Sequence, residues 1–214
     1  MKVEGSTTGE DAALASSPGP RALGPLESDA AEYAALRCYG QVRAGRGKQS
    51  VTEHFGEVAD LLAMAGLEDS VCAVGRLHDV IEDGRGLPKA EIALEVRRLF
   101  GDEVADIVEW LTDPDDFDRL PMKERKARQA ERIANAPRLV KCGKIADQTS
   151  NLRSIAADPP VRWSREKRLT YIEGARAIAE ACEGASPVLE EQFALAYAAA
   201  LRNVTAGASE EPTP

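Results

Sequence analysis

The segment "GRLHDVIEDG", from Gly75 to Gly84, sets His78 beside Asp79 and follows them with Glu82 and Asp83, all among Leu77, Val80 and Ile81. On a helix His78 and Glu82 share a face, as do Asp79 and Asp83. An imidazole and three carboxylates so close together would repel and desolvate badly unless a cation joined them. The plainer alternative is a solvated acidic helix end with a partly buried histidine. The chain has 2 histidines in 214 residues. The other, His54, stands just before Phe55 at the core-facing start of a second apolar-periodic segment. Further on, "KIADQTSNLRSI" places Asp147 and Asn151 one turn apart, opposite an apolar line of Ile145, Thr149, Leu152 and Ile155. Asp147 follows Ala146 in an otherwise apolar turn, a poor place for an unpaired charge. His54, His78, Asp79 and Asp147 together form a two-imidazole, two-carboxylate set, which suits Mn, Fe, Co or Zn better than Ca.

These side chains must be carried by helices, because strand-like alternation is absent. Ser28 is placed to cap a helix through Tyr33 and Leu36, with Asp29 and Glu32 in its first turn. Phe55, Val58, Leu62 and Ala65 recur at helical spacing, ended by Gly66. Ser70 is placed to cap a helix whose apolar line is Val71, Val74, Leu77 and Ile81, stopped by Gly84. Val104, Ile107, Val108 and Leu111 follow Gly101 and a capping Asp102, and Pro121 stands like a first-turn proline. Later helices run from Leu139 to Ile155, Arg165 to Cys182 and Pro187 to Leu201. The expectation is one all-α domain over residues 28–203, with a disordered leader at 1–27 and a loose tail at 204–214.

Composition sets further bounds. A net charge of -9 argues against broad binding to nucleic acid or anionic membrane. Aromatics are 5% of the residues, so Ala, Leu, Val and Ile must build the core. Cys38, Cys72, Cys142 and Cys182 lie far apart and read as reduced thiols of a cytoplasmic protein. Neither a signal peptide nor the ~20 apolar residues of a membrane span is evident.

The order "H…HDxxED…D" with "ADQTSNL" resembles the HD-superfamily phosphohydrolases. More narrowly, "LHDVIED" resembles the (p)ppGpp hydrolase domains of RelA/SpoT-type enzymes and the stand-alone small alarmone hydrolases. "GQVRAGRGKQSVTEH", "LTDPDDFDRLPMKERKARQ", "VKCGKIADQTSNLRSI" and "WSREKRLTYIEGA" resemble that family's other segments, in order, from about Ser28 to Ala185. The resemblance implies His54, His78, Asp79 and Asp147 as ligands of Mn²⁺, with Glu82 and Asp83 orienting and deprotonating the attacking water. HD enzymes with two metals generally carry extra imidazoles, so two histidines imply one ion. The chain departs from the family's usual residues at Ala44, at Ser50 to Thr52, at Phe55 and within "DQTSN".

Around these acids the charge reverses. From Arg119 to Arg153 basic residues far outnumber Glu124, Glu131 and Asp147, a field that would attract a polyphosphate, unless it is a solvated helix face. By resemblance Arg43 would meet the guanine base or a phosphate, and Lys48 a phosphate. Asn151 would hydrogen-bond near the ribose or scissile phosphate, with Lys144 in a similar role. The implied reaction removes the 3′-diphosphate of (p)ppGpp, giving GDP or GTP and pyrophosphate. A phosphatase of another nucleotide, such as a deoxynucleotide or the 2′-phosphate of NADPH, is the nearest alternative. A non-catalytic nucleotide-binding module comes next, and a helical interaction protein last. The length leaves no room for an alarmone synthetase domain after the hydrolase. Oligomeric state is left open.

Overall fold

A computed structural model describes residues 21–206, and among them the chain is all-α. The helices are α1 (Pro25–Arg37), α2 (Val51–Met64), α3 (Asp69–Leu77), α4 (Val80–Asp83), α5 (Lys89–Leu111), α6 (Met122–Ala134), α7 (Arg138–Ala157), α8 (Arg165–Ala181) and α9 (Pro187–Ala206). A single 3₁₀ turn, Phe117–Arg119, precedes α6. The nearest thing to a strand is an isolated antiparallel bridge between Val42 and Ser50, which closes the loop before α2.

α7 lies at the centre, packed on α2, α3, α5, α8 and α9. It is buried continuously from Cys142 to Ser150, so every polar side chain there needs a partner. Ile145 and Leu152 of α7 join Phe55, Leu61, Leu77, Ile92, Ile172, Ile178 and Leu189 in the fully enclosed core. Each such aliphatic side chain contributes roughly 1.5–3 kcal/mol by leaving water. All four cysteines are buried and unpaired, as reduced thiols would be.

Several helix ends differ from the sequence expectation. α1 begins at Pro25, three residues before Ser28, and its N-terminus is capped from another helix. The Asp69 carboxylate accepts from Leu26 N at 2.9 Å and Glu27 N at 3.2 Å. This earlier start buries Glu27, Ala30 and Ala34, while Leu36 points outward with 70% of its surface exposed. The domain thus reaches back across 25–27, and the rest of the expected leader, 1–20, lies outside the described residues apart from 21–24, where Arg21 already pairs with Glu27 and Asp60. At the other end α9 continues through Ala206, with Val204 buried; 207–214 lie outside the described residues. Ser70 does not cap α3, which starts at Asp69 after Glu68. Gly101 interrupts α5 with φ 86°, a left-handed conformation that glycine adopts without strain. Across this kink Arg97 pairs with Asp102, Asp106 and Glu109.

The largest difference concerns the helix expected to run from Ser70 to Gly84. It breaks at Asp79, whose φ of -104° and ψ of 1° leave the helical region. Glu82 and Asp83 therefore ride on the separate short turn α4. Val80 and Ile81 stay buried, which explains why the apolar line read as continuous.

Candidate functional site

His54 occupies the first turn of α2, whose N-cap Ser50 accepts from Thr52 N. His78 follows the last residue of α3. The two meet because α2 and α3 pack almost backbone to backbone at Gly75, where a Cβ would lie 2.6 Å from the Ala59 backbone. The imidazole centroids are 4.9 Å apart and edge-to-face. Their Nε2 atoms face each other at 3.2 Å. Asp79 Oδ2 lies 3.2 Å from His78 Nε2 and 3.8 Å from His54 Nε2. From α7, Asp147 Oδ1 lies 3.6 Å from His54 Nε2 and 3.8 Å from His78 Nε2. The four side chains singled out in the sequence thus converge on one point. Both rings are almost fully enclosed, whereas the Asp79 side chain is 34% exposed, so the cluster opens to solvent on that side.

The donor set fits a divalent cation. His78 Nδ1 lies 2.9 Å from Gly75 O, which only accepts, so Nδ1 carries a proton. In the neutral ring Nε2 then presents a lone pair toward the second imidazole and two carboxylates. Such a set has a use for a positive centre. Without one, a proton supplies the charge. Burial opposes ionisation of His78, but Asp79 and Asp147 outweigh it and push its pKa up to about 9. Burial lowers that of His54. Asp147 is also penalised by burial, yet the Lys144 ammonium and the histidines hold its carboxyl well below the usual range.

Asp147 is tied in place on all sides. Lys144 Nζ stands 3.4 Å from Oδ2, Gln148 Nε2 donates to Oδ2 at 2.7 Å, and Asn151 Nδ2 donates to Oδ1 at 2.5 Å. Asn151 Oδ1 accepts from Arg43 Nη2 at 2.6 Å. Arg43, Lys144 and Asn151 therefore adjoin the cluster, although Lys144 is nearly enclosed by its neighbours. Lys48 stands apart: it is exposed, with φ 48°, at the tip of the loop. Glu82 lies near enough to feel the Asp79 and Lys144 charges, and Asp113 N donates to its Oε1 at 2.6 Å. Burial first, then the Asp79 charge, raises the Glu82 pKa to about 7. Asp83, more open to solvent, is raised by the same causes in the same order.

Beyond Asn151 lies a cleft of about 380 Å³, lined by Arg43, Gln49, Glu57, Asn151, Trp163 and Tyr171 among others. One wall is the loop 42–50, the other the last turns of α7 and the segment that follows it. The basic run from Arg119 to Arg153 contributes less than its composition suggested. Lys126 is buried, donating to Gln148 Oε1 at 2.8 Å with its ammonium 4.1 Å from the Tyr171 ring centre. Arg132 binds the Trp110 and Thr112 carbonyls at the end of α5, and Arg138 the Ala185 carbonyl. These cations mostly knit helices together.

Residues not singled out in the sequence also shape the site. Glu57 and Ser150 reach the far side of His54, Gln148 and Lys126 back Asp147, and Trp163 and Tyr171 line the cleft. A glutamate within the apolar run of α2 was a visible signal for Glu57. Trp163 and Tyr171 stood within the segment "WSREKRLTYIEGA", but nothing in it assigned them to a cleft.

A helical body that gathers a histidine, a His-Asp pair and a distant aspartate at one point defines a class, and the HD-domain family model matches residues 30–172. The chain belongs to that family, and within it to the RelA/SpoT-type group. The human guanosine-3′,5′-bis(diphosphate) 3′-pyrophosphohydrolase MESH1 is 31% identical over 166 residues, 76% of this chain and 88% of its own. Its Xenopus tropicalis counterpart is 30% identical over 164 residues, 76% of this chain and 87% of its own. A solved structure, described as a metazoan ortholog of SpoT that hydrolyzes ppGpp, superposes with a TM-score of 0.73 at 25% identity, covering 84% of this chain and 97% of that one. No helix among the described residues is long and apolar enough to cross a membrane.

Proposed function

We propose that this protein is a metal-dependent hydrolase that removes the 3′-diphosphate of (p)ppGpp, releasing pyrophosphate and GDP or GTP. The observation that carries the reading is the convergence of His54, His78, Asp79 and Asp147 beside Glu82. It occurs in a chain that spans most of the length of relatives named for that reaction. In this reading those four residues hold one divalent ion, with Mn²⁺ the first choice and Fe, Co or Zn compatible with the same nitrogen and oxygen donors. When bound, the ion supplies Lewis acidity toward water and phosphoryl oxygen.

The chain's own residues do the rest. Glu82, with a pKa near neutrality, takes the proton from the attacking water, and Asp83 orients that water from the solvent side. Arg43 and Asn151 stand where the cluster meets the cleft, placed to bind the phosphate or ribose at the 3′ position. Lys144 keeps Asp147 ionised and adds positive charge beside it. Lys48, at the exposed loop tip, meets a distal phosphate. The cleft takes the nucleoside. In this reading the protein works in the cytoplasm on a small nucleotide, and the HD domain carries the activity.

Purified protein with Mn²⁺ should release pyrophosphate from ppGpp, and His78→Ala should abolish that release. Ala44 in the cleft and Gln148 and Ser150 behind the cluster depart from the family's usual residues, so the assay should include deoxynucleotides and NADPH. Phosphate from one of those, with no pyrophosphate from ppGpp, would replace the substrate while keeping the centre. Tight ppGpp binding without turnover would make the protein a binding module.

A further inference from the structure

The two imidazoles are anchored differently at their outer nitrogens. His78 Nδ1 meets a backbone carbonyl, which can only accept. His54 Nδ1 meets Ser150 Oγ at 2.8 Å, and a hydroxyl can either give or take. What decides is the next contact. Ser150 Oγ lies 2.5 Å from Glu57 Oε2, and Glu57 Oε1 pairs with Arg153 Nη1 at 2.9 Å. An ion-paired carboxylate accepts only, so the single hydroxyl proton of Ser150 points to Glu57. Ser150 Oγ is then an acceptor toward the ring, and His54 Nδ1 must be its donor.

We propose that Ser150 and Glu57 are positioning residues that hold His54 as its Nδ1-protonated tautomer and turn the Nε2 lone pair into the four-residue cluster. This deepens the metal-centre reading and rests on it. The placement is economical in the fold. One face of α7 grips both ends of the same imidazole, with Asp147 Oδ1 3.6 Å from Nε2 and Ser150 Oγ 2.8 Å from Nδ1. Glu57 lies almost one turn after His54 on α2, so the chain of contacts also fixes α2 against α7. Ser150 is fully buried, which keeps water from competing for either of its hydrogen bonds. Outer partners of this kind commonly change metal affinity by about 10- to 100-fold when removed.

The test begins with the metal-free, full-length wild type. Two histidines give two ring patterns in a long-range ¹H–¹⁵N spectrum, each assigned through its own Cβ. His54 should carry its proton on Nδ1. In Ser150→Ala the ring should relax toward a mixture of tautomers, and calorimetric Mn²⁺ affinity should fall by about 10- to 100-fold with helix content unchanged. Glu57→Gln keeps an acceptor for the serine proton and should lose less. A wild-type proton on Nε2, or a Ser150→Ala protein with wild-type tautomer and Mn²⁺ affinity, would overturn the proposal. If Ser150→Ala does not fold, the wild-type spectrum and Glu57→Ala decide it by the same two readouts. A wild type that takes up no Mn²⁺ would defeat the metal reading instead, and the two spectra would still judge the relay.

Discussion

The His54, His78, Asp79 and Asp147 cluster and the loop wall of the cleft beside it are built in opposite ways. The cluster takes its side chains from α2, the α3–α4 junction and α7, and its two rings and Asp147 are nearly sealed from solvent. The cleft is lined on one side by the C-terminal turns of α7 and the residues after it, but its other wall, the loop 42–50, is held by a few polar contacts at the surface. Helices buried in a core place side chains to a fraction of an ångström, because moving one means repacking its neighbours. A loop held by surface contacts can shift at small cost. Under the proposed function this difference is a division of labour, with chemistry fixed by the core and substrate fit left to the loop. Arg43 and Asn151 form the seam between the two.

The largest effects should come from the cluster. His78→Ala and Asp147→Asn should each remove stoichiometric Mn²⁺, read by elemental analysis, and with it all pyrophosphate release. Either variant retaining full metal and turnover would mean that the convergence is not the centre. Glu82→Gln should separate binding from chemistry: the ion stays, while kcat falls by about 10²- to 10⁴-fold, the usual contribution of a general base. The same variant makes a stability prediction for the metal-free protein. The Glu82 pKa is raised from 4.5 to about 7, so the ionised wild-type carboxylate weakens the fold most above pH 7. Below about pH 4.5 the group is protonated in both folded and unfolded chains and the penalty is gone. Glu82→Gln should therefore raise the melting temperature at pH 8, with the gain shrinking as pH falls from 7 to 4.5. A gain that is constant with pH would place the effect elsewhere.

How legible each half was in the sequence follows from the same contrast. His54, His78, Asp79 and Asp147 could be read because burying a charge or an imidazole in an apolar helix demands a reason, and that reason is visible in local spacing. The break at Asp79 was hidden, since Val80 and Ile81 keep the apolar rhythm on both sides of it. The cap on α1 was hidden too, because the carboxylate that supplies it, Asp69, lies more than forty residues away. Charge counting misled for the basic run: Lys126 and Arg132 serve a neighbouring glutamine and backbone carbonyls, which no tally of acids and bases could anticipate. In the cleft, Trp163 and Tyr171 come from a distant stretch whose contacts are set by tertiary packing. Arg43 was singled out by the family resemblance and not by its local spacing.

Arg43→Ala should sharpen the division. A charge-assisted hydrogen bond of roughly 1.5–3 kcal/mol corresponds to about a 10- to 100-fold rise in KM for the nucleotide. Mn²⁺ affinity should not fall, since Arg43 hydrogen-bonds toward Asp147 only through Asn151 and its charge, which also lowers the His54 pKa, opposes a cation. Metal affinity falling in step with KM would show that the seam couples the two halves and that they do not act independently.

The smallest effect tests the loop itself. The Asp158 carboxylate accepts from Arg46 N at 2.9 Å and Gly47 N at 2.8 Å, latching the loop to the chain beyond α7. The ends of the loop are closed separately, by Arg43 N to Gln49 O at 2.8 Å and Val51 N to Gln41 O at 3.2 Å. Asp158→Ala should therefore free the tip without opening the base. At roughly 0.5–1.5 kcal/mol for each solvent-accessible hydrogen bond, KM should rise by about 2- to 10-fold, with kcat and Mn²⁺ affinity unchanged. Hydrogen exchange should quicken at Arg46 and Gly47 and stay slow in α2 and α7, where opening requires breaking the core. Exchange and KM both at wild-type values would mean that the base of the loop alone sets its position, and that the cleft is as firmly built as the cluster.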